Sequence, residues 1–137
     1  MYGDIALNIV VLDDDLDRHD KFKRSAEEYN VRLLRRTTVD ETIKTLQPGG
    51  FDAVFLDYDL NGKVMLPRDH PDSSSRLLRW AAELGEEERR RIARHWFVHS
   101  LNQDGAEFAM ELIPEAHRCP WAWQPANFSS LISAIRP

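Results

Sequence analysis

The stretch LNIVVLDDD, residues 7–15, decides the fold. Leu7–Leu12 is dense in branched apolar residues and carries no helical stripe, so it predicts a strand buried on both faces. It runs without a break into Asp13, Asp14 and Asp15. Beyond it Phe22, Ala26 and Tyr29 recur at helical spacing, with Asp15 or Asp17 placed to cap the helix.

The same alternation repeats outward. Residues 31–35 (VRLLR) predict a second strand, less apolar and so nearer an edge. Thr38-Val39-Asp40-Glu41 reads as a capping box for a short helix through Ile43 and Leu46, which Pro48-Gly49-Gly50 stops. Residues 53–56 (AVFL) predict a third strand ending on Asp57. Residues 58–71 form a long loop with Gly62, Pro67 and Pro71, and loops of that length in small domains are often functional.

Ser73-Ser74-Ser75 offers caps for a helix whose face is Leu77, Leu78, Ala81 and Leu84, and Gly85 interrupts it. Residues 86–94 pair Glu86 with Arg90 and Glu87 with Arg91 at i,i+4 spacing. They read as a solvated helix face rather than an Arg patch for a polyanion. Residues 96–100 (WFVHS) predict the fourth strand, and Ala106, Ala109, Met110 and Ile113 the next helix. Residues 116–121 predict a weak fifth strand; Phe128, Leu131, Ile132 and Ile135 predict a closing helix.

Five (βα) repeats imply an α/β fold with a parallel sheet and helices on both of its faces. The 137 residues fit one domain, 1–137, and 42% hydrophobic residues suffice for a core. A net charge of -5 argues against duplex DNA as a partner but leaves a nucleotide or an RNA end possible. The single cysteine, Cys119, excludes an intramolecular disulfide, which suits a cytoplasmic location. No apolar run approaches the roughly 20 residues of a membrane span. Met1-Tyr2-Gly3-Asp4 lacks a positive segment, so no signal peptide is expected.

In open parallel sheets ligands bind beyond the carboxyl ends of the strands. That rule gathers residues 13–15, 57–59 and 100–102 into one pocket. Two like charges about 4 Å apart repel by roughly 4 kcal/mol at an effective dielectric near 20. Several carboxylates there must therefore retain a proton or bind a cation. Oxygen donors favour Mg²⁺, Mn²⁺ or Ca²⁺, and Mg²⁺ keeps positions open for water and phosphate. Asp57 is the natural nucleophile or water-positioning group, and Ser100 and Asn102 could donate hydrogen bonds to phosphoryl oxygens. The alternative is that Asp15, Asp17 and Asp59 are caps and turn residues.

His95 and His99 have zinc-like i,i+4 spacing, but a strand cannot bring both to one ion as a helix would. His99 could act as general acid or base, or be an interior histidine. His70 and Arg76 flank the long loop and could close over a phosphate. His19 and His117 carry no signal. Trp121 and Trp123 could stack a base, though such residues more often cover a core edge. Cys119 reads as structural.

VVLDDD, FLDYD and VHS, each at the end of a predicted strand, resemble the receiver domain of response regulators. The resemblance implies a flavodoxin-like (βα)5 fold with strand order 2-1-3-4-5. It further implies that Asp13 and Asp14 bind Mg²⁺ and that Asp57 accepts phosphate. Asp59 would give the metal a backbone carbonyl, and Ser100 would contact the phosphoryl group. A receiver has a lysine before a proline at the end of strand five. Here Cys119 precedes Pro120, and Arg118 is the nearest cation. Leu56-Asp57-Tyr58-Asp59-Leu60 and His99-Ser100-Leu101-Asn102, followed by Gly105-Ala106, are similar to the motifs of the cyclic-phosphate processing receiver domains. That likeness implies a Mg²⁺- or Mn²⁺-dependent phosphoesterase acting on cyclic phosphates or nucleotides. Asp13, Asp14, Asp57 and Asp59 would lie at the metal, with Asp57, His99, Ser100 and Asn102 catalytic. The alternatives are a stand-alone receiver phosphorylated on Asp57, with a protein partner, or a degenerate binding module.

Overall fold

Side chains alternate along a strand, which sends Leu7, Ile9 and Val11 to one face of the first strand and Val10 and Leu12 to the other. Both sets are buried, as a central parallel strand requires. The computed structural model describes residues 6–136. The expectation about Met1-Tyr2-Gly3-Asp4 lies outside the described residues. Among the described residues, no helix is long and apolar enough to cross a membrane.

The elements in chain order are β1 (Leu7–Leu12), α1 (Leu16–Glu27), β2 (Val31–Arg36), α2 (Val39–Leu46), β3 (Phe51–Leu56) and α3 (Ser75–Leu84). They continue with α4 (Glu86–Ile92), β4 (Ala93–Val98), α5 (Gln103–Leu112), β5 (His117–Arg118) and α6 (Pro125–Ile135). The sheet has the order β2-β1-β3-β4-β5, and every pair is parallel. This is the expected flavodoxin-like arrangement. One core joins Val10, Leu12, Val54, Leu56 and Trp96 to residues of α2, α3 and α5. The other joins Ile9, Val11, Phe55 and Phe97 to Phe22 of α1 and Phe128 and Ile132 of α6. Burying each large side chain of this kind contributes about 1.5–3 kcal/mol.

Local chemistry sets the boundaries. Asp15 caps α1, its carboxylate accepting from the backbone N–H groups of Asp17 and Arg18. Thr38 caps α2 by accepting from Glu41 N–H, while its own hydroxyl donates to the Glu41 carboxylate. The reciprocal half of the expected box is thus a side-chain contact. Gly85, at φ 81°, separates α3 from α4.

Three expectations are corrected. The fourth strand starts earlier, at Ala93, because α4 ends at Ile92. The fifth strand shrinks to His117–Arg118, both exposed, before Pro120 removes a ladder donor and the chain turns. The charged segment is not wholly solvated. Arg89 is buried, with Nε and Nη2 each 2.8 Å from the Glu115 carboxylate. Its Nη1 donates to Ala81 O at the end of α3, 3.0 Å away. Arg90 does pair with Glu86, but Arg91 pairs with Glu88 rather than Glu87.

Candidate functional site

The register places the site. Leu12 lies opposite Leu56, and Leu56 opposite Val98, so Asp13, Asp57 and His99 follow at one level on adjacent strands. The ladder carries on through them. Asp57 N–H donates to Leu12 O and His99 N–H to Leu56 O, each at 2.9 Å. Alternation then points all three side chains to the α1/α6 side of the sheet. They are buried, and one ligand atom from each lies within 4.8 Å of the others.

Arg18, two residues inside α1, reaches into this cluster, as helical side chains lean toward the helix N-terminus. Its Nε is 2.7 Å from Asp13 Oδ2 and its Nη2 is 2.8 Å from Asp13 Oδ1. The same Nη2 is 2.9 Å from Asp57 Oδ2. The guanidinium lies 5.3 Å from the centre of the Trp123 ring. Sequence reasoning missed Arg18 altogether. The clue was its place in the first turn of the helix that follows the acidic run.

Asp13 is saturated. Oδ1 accepts from Asp15 N–H at 2.8 Å and from Arg18; Oδ2 accepts from Arg18 and from His99 Nε2 at 2.8 Å. These make up the roughly four lone-pair positions of a carboxylate. Burial works to raise the Asp13 pKa, but the bonds from His99 and Arg18 win and hold it well below the usual carboxylate range. Asp57 behaves oppositely. Burial first, then repulsion from Asp13, pushes it up to about 8 against the pull of Arg18. Burial lowers the pKa of His99 despite its bond to Asp13. The imidazole is therefore neutral, with its proton on Nε2 because a carboxylate can only accept. His99 Nδ1 is buried without a partner among the described residues. His19, which carried no signal of its own, is also buried. Its Nε2 lies 2.7 Å from Asp13 O and 3.1 Å from Arg36 O, tying together the ends of β1 and β2.

The other expected residues fall into two groups. Ser100 lines a cavity of about 110 Å³ with Arg18, Asp57, Lys63 and His99. Its Oγ accepts from Asn102 N–H at 3.1 Å, which leaves the hydroxyl proton for an acceptor. Asp59 lines the same cavity, and Asp14, Asp59 and Asn102 are all engaged with the long loop. Asp14 accepts from Gly62 N–H. The Asp59 carboxylate accepts from the N–H groups of Met65 (2.9 Å) and Leu66 (3.0 Å) and from Asn102 Nδ2 (3.1 Å). Asn102 Nδ2 also donates to Leu66 O, and its Oδ1 accepts from Gly105 N–H at the start of α5. The Asn102 amide thus holds the loop and caps a helix rather than facing a substrate. His70 and Arg76 do not line the cavity. His70 Nδ1 accepts from Asp72 N–H, and Arg76 pairs with Asp40. Trp123 is buried and Trp121 exposed. Burial pushes the Cys119 thiol up to about 12, so it is no nucleophile.

The donor set suits a hard divalent cation, since two carboxylates at one pocket are what Mg²⁺ or Mn²⁺ commonly takes from a protein. Asp13 and Asp57 would hold it, and it would supply positive charge to phosphoryl oxygens.

A parallel sheet of order 2-1-3-4-5 with acidic groups beyond β1 and β3 and a serine beyond β4 defines a receiver-like domain. The chain belongs to the cyclic-phosphate processing receiver domain family, whose model matches residues 8–115. It is similar in structure to a CheY-like response regulator receiver domain from Methylobacillus flagellatus. The TM-score is 0.70 at 16% identity, covering 96% of this chain and 100% of that one, a likeness of fold. No curated protein matches in sequence.

Proposed function

We infer that this domain is a cation-dependent phosphoesterase acting on cyclic phosphates, in a nucleotide or at an RNA end. The observation that carries this reading is the convergence of Asp13, Asp57 and His99 within 4.8 Å of one another, in a family described as cyclic-phosphate processing. Mg²⁺ or Mn²⁺ at Asp13 and Asp57 would polarise the phosphoryl group. The protein's own groups do the rest. Asp57 positions the attacking water and takes its proton, and neutral His99, its tautomer fixed by Asp13, holds that second carboxylate in place. Ser100 donates to a phosphoryl oxygen. The bond from phosphorus to one sugar oxygen breaks, and that oxygen takes the proton Asp57 received from the water, leaving a phosphomonoester.

The test is incubation with Mg²⁺ and a panel of 2′,3′-cyclic nucleotides. Conversion to monophosphates that is lost in Asp57→Asn supports the reading. No turnover above that variant across the panel contradicts it. A second reading, a stand-alone receiver phosphorylated on Asp57 and read by a protein partner, is supported by the place of Asp57 at the tip of the central strand. Labelling of Asp57 by acetyl phosphate, without turnover of cyclic substrates, would favour it.

A further inference from the structure

The acidic pocket already contains a cation of its own. Arg18 contributes two of the four hydrogen bonds that fill Asp13 and also bonds Asp57. A divalent ion cannot coordinate Asp13 while the guanidinium covers both of its oxygens, and two positive groups packed against the same carboxylates repel. We propose that Arg18 and the divalent cation are mutually exclusive occupants of the Asp13–Asp57 pair, so that cation binding is an exchange in which Arg18 swings out to the rim.

The rim is furnished for the displaced arm. Arg18 Nη1 is already 3.8 Å from Asp15 Oδ2, and Asp15 is a partly exposed carboxylate. The Trp123 ring lies 5.3 Å from the guanidinium. In the proposed exchange the guanidinium keeps these two contacts and releases Asp13 and Asp57. Arg18 thereby remains at the mouth of the cavity. His99 need not move, since its bond to Asp13 uses one position of Oδ2 only. The exchange rests on reading the pocket as a cation site, but it is tested by binding alone and does not depend on any turnover.

The test is titration of the intact chain with Mn²⁺ and with Mg²⁺ by calorimetry, in wild type, Arg18→Gln and Arg18→Lys. Arg18→Gln should bind at least tenfold more tightly than wild type. Arg18→Lys, which keeps the charge but not the two-pronged grip, should fall between them. In ¹⁵N-labelled wild type, the slowly exchanging Arg18 Nε–H signal should lose its protection as Mg²⁺ saturates. Should Arg18→Gln fold only when the ion is present, its melting temperature should rise with ion concentration more steeply than that of wild type. Equal or weaker binding by Arg18→Gln would overturn the exchange. So would an Arg18 Nε–H signal that stays in place at saturating Mg²⁺, or no ion binding in any of the three proteins.

Discussion

Asp13 and Asp57 share a guanidinium yet titrate in opposite directions, and this difference has a measurable consequence. Asp57, raised to about 8 in the cation-free protein, keeps a proton when folded that it has released when unfolded. Its contribution to stability is complete below about pH 4 and is lost as pH rises toward 8. Asp13, held low, contributes stability that is present above about pH 4 and is lost only on acidification. Asp57 should therefore contribute a loss of a few kcal/mol between about pH 5 and pH 8, opposed below about pH 6.5 by His99 and His95, whose lowered pKa values make stability rise with pH, and Asp57→Asn should remove the Asp57 part of that dependence. Denaturant unfolding in EDTA across this range checks it; a slope unchanged in Asp57→Asn would contradict it. Asp13, Asp57 and His99 were legible in the sequence, because strand ends and carboxylates are readable without coordinates. Arg18 was not. Nothing in the spacing distinguishes it from the other cations of α1 until the direction of its side chain over the end of β1 is known.

The elements around the site are held by contacts between the stretch that follows β3 and the stretch that opens α5. Asp59, after β3, bonds Asn102, which opens α5, and both grip the loop at Leu66. Tyr58 faces the other side of the sheet, buried, with its hydroxyl donating to Pro67 O at 2.9 Å. A Cβ at Gly105 would strike the Tyr58 ring, with Cγ only 2.6 Å away. That close approach accounts physically for glycine at this position. Gly105→Ala should destabilise by about 1–3 kcal/mol through overpacking, although alanine favours helix by up to about 1 kcal/mol. Chemical denaturation measures it, and a neutral or stabilising substitution would mean that the ring is free to yield. The sequence marked this loop as functional by its length. It did not reveal that Asp59 and Asn102 are engaged with the loop's backbone, because their partners are loop groups whose positions no periodicity encodes. It also overestimated β5, whose two residues are both exposed and so leave no apolar pattern.

For the molecule as a whole, helix packing on both faces makes the sheet a rigid frame, and its register alone delivers three buried polar side chains from three strands to one level. The two-faced core was readable because β1 and β3 are continuously apolar, the mark of strands buried on both sides, whereas the strand order came from the resemblance to receiver domains. The buried Arg89–Glu115 pair was not, since an arginine-rich stretch carries the same signature whether solvated or packed. We propose that the carboxyl edge of this sheet binds one divalent cation between Asp13 and Asp57. Calorimetric titration of wild type and Asp57→Asn with Mn²⁺ tests it most directly. One ion per wild-type chain is expected, with binding at least tenfold weaker in Asp57→Asn. No binding to wild type, or equal affinity in the two proteins, would contradict it.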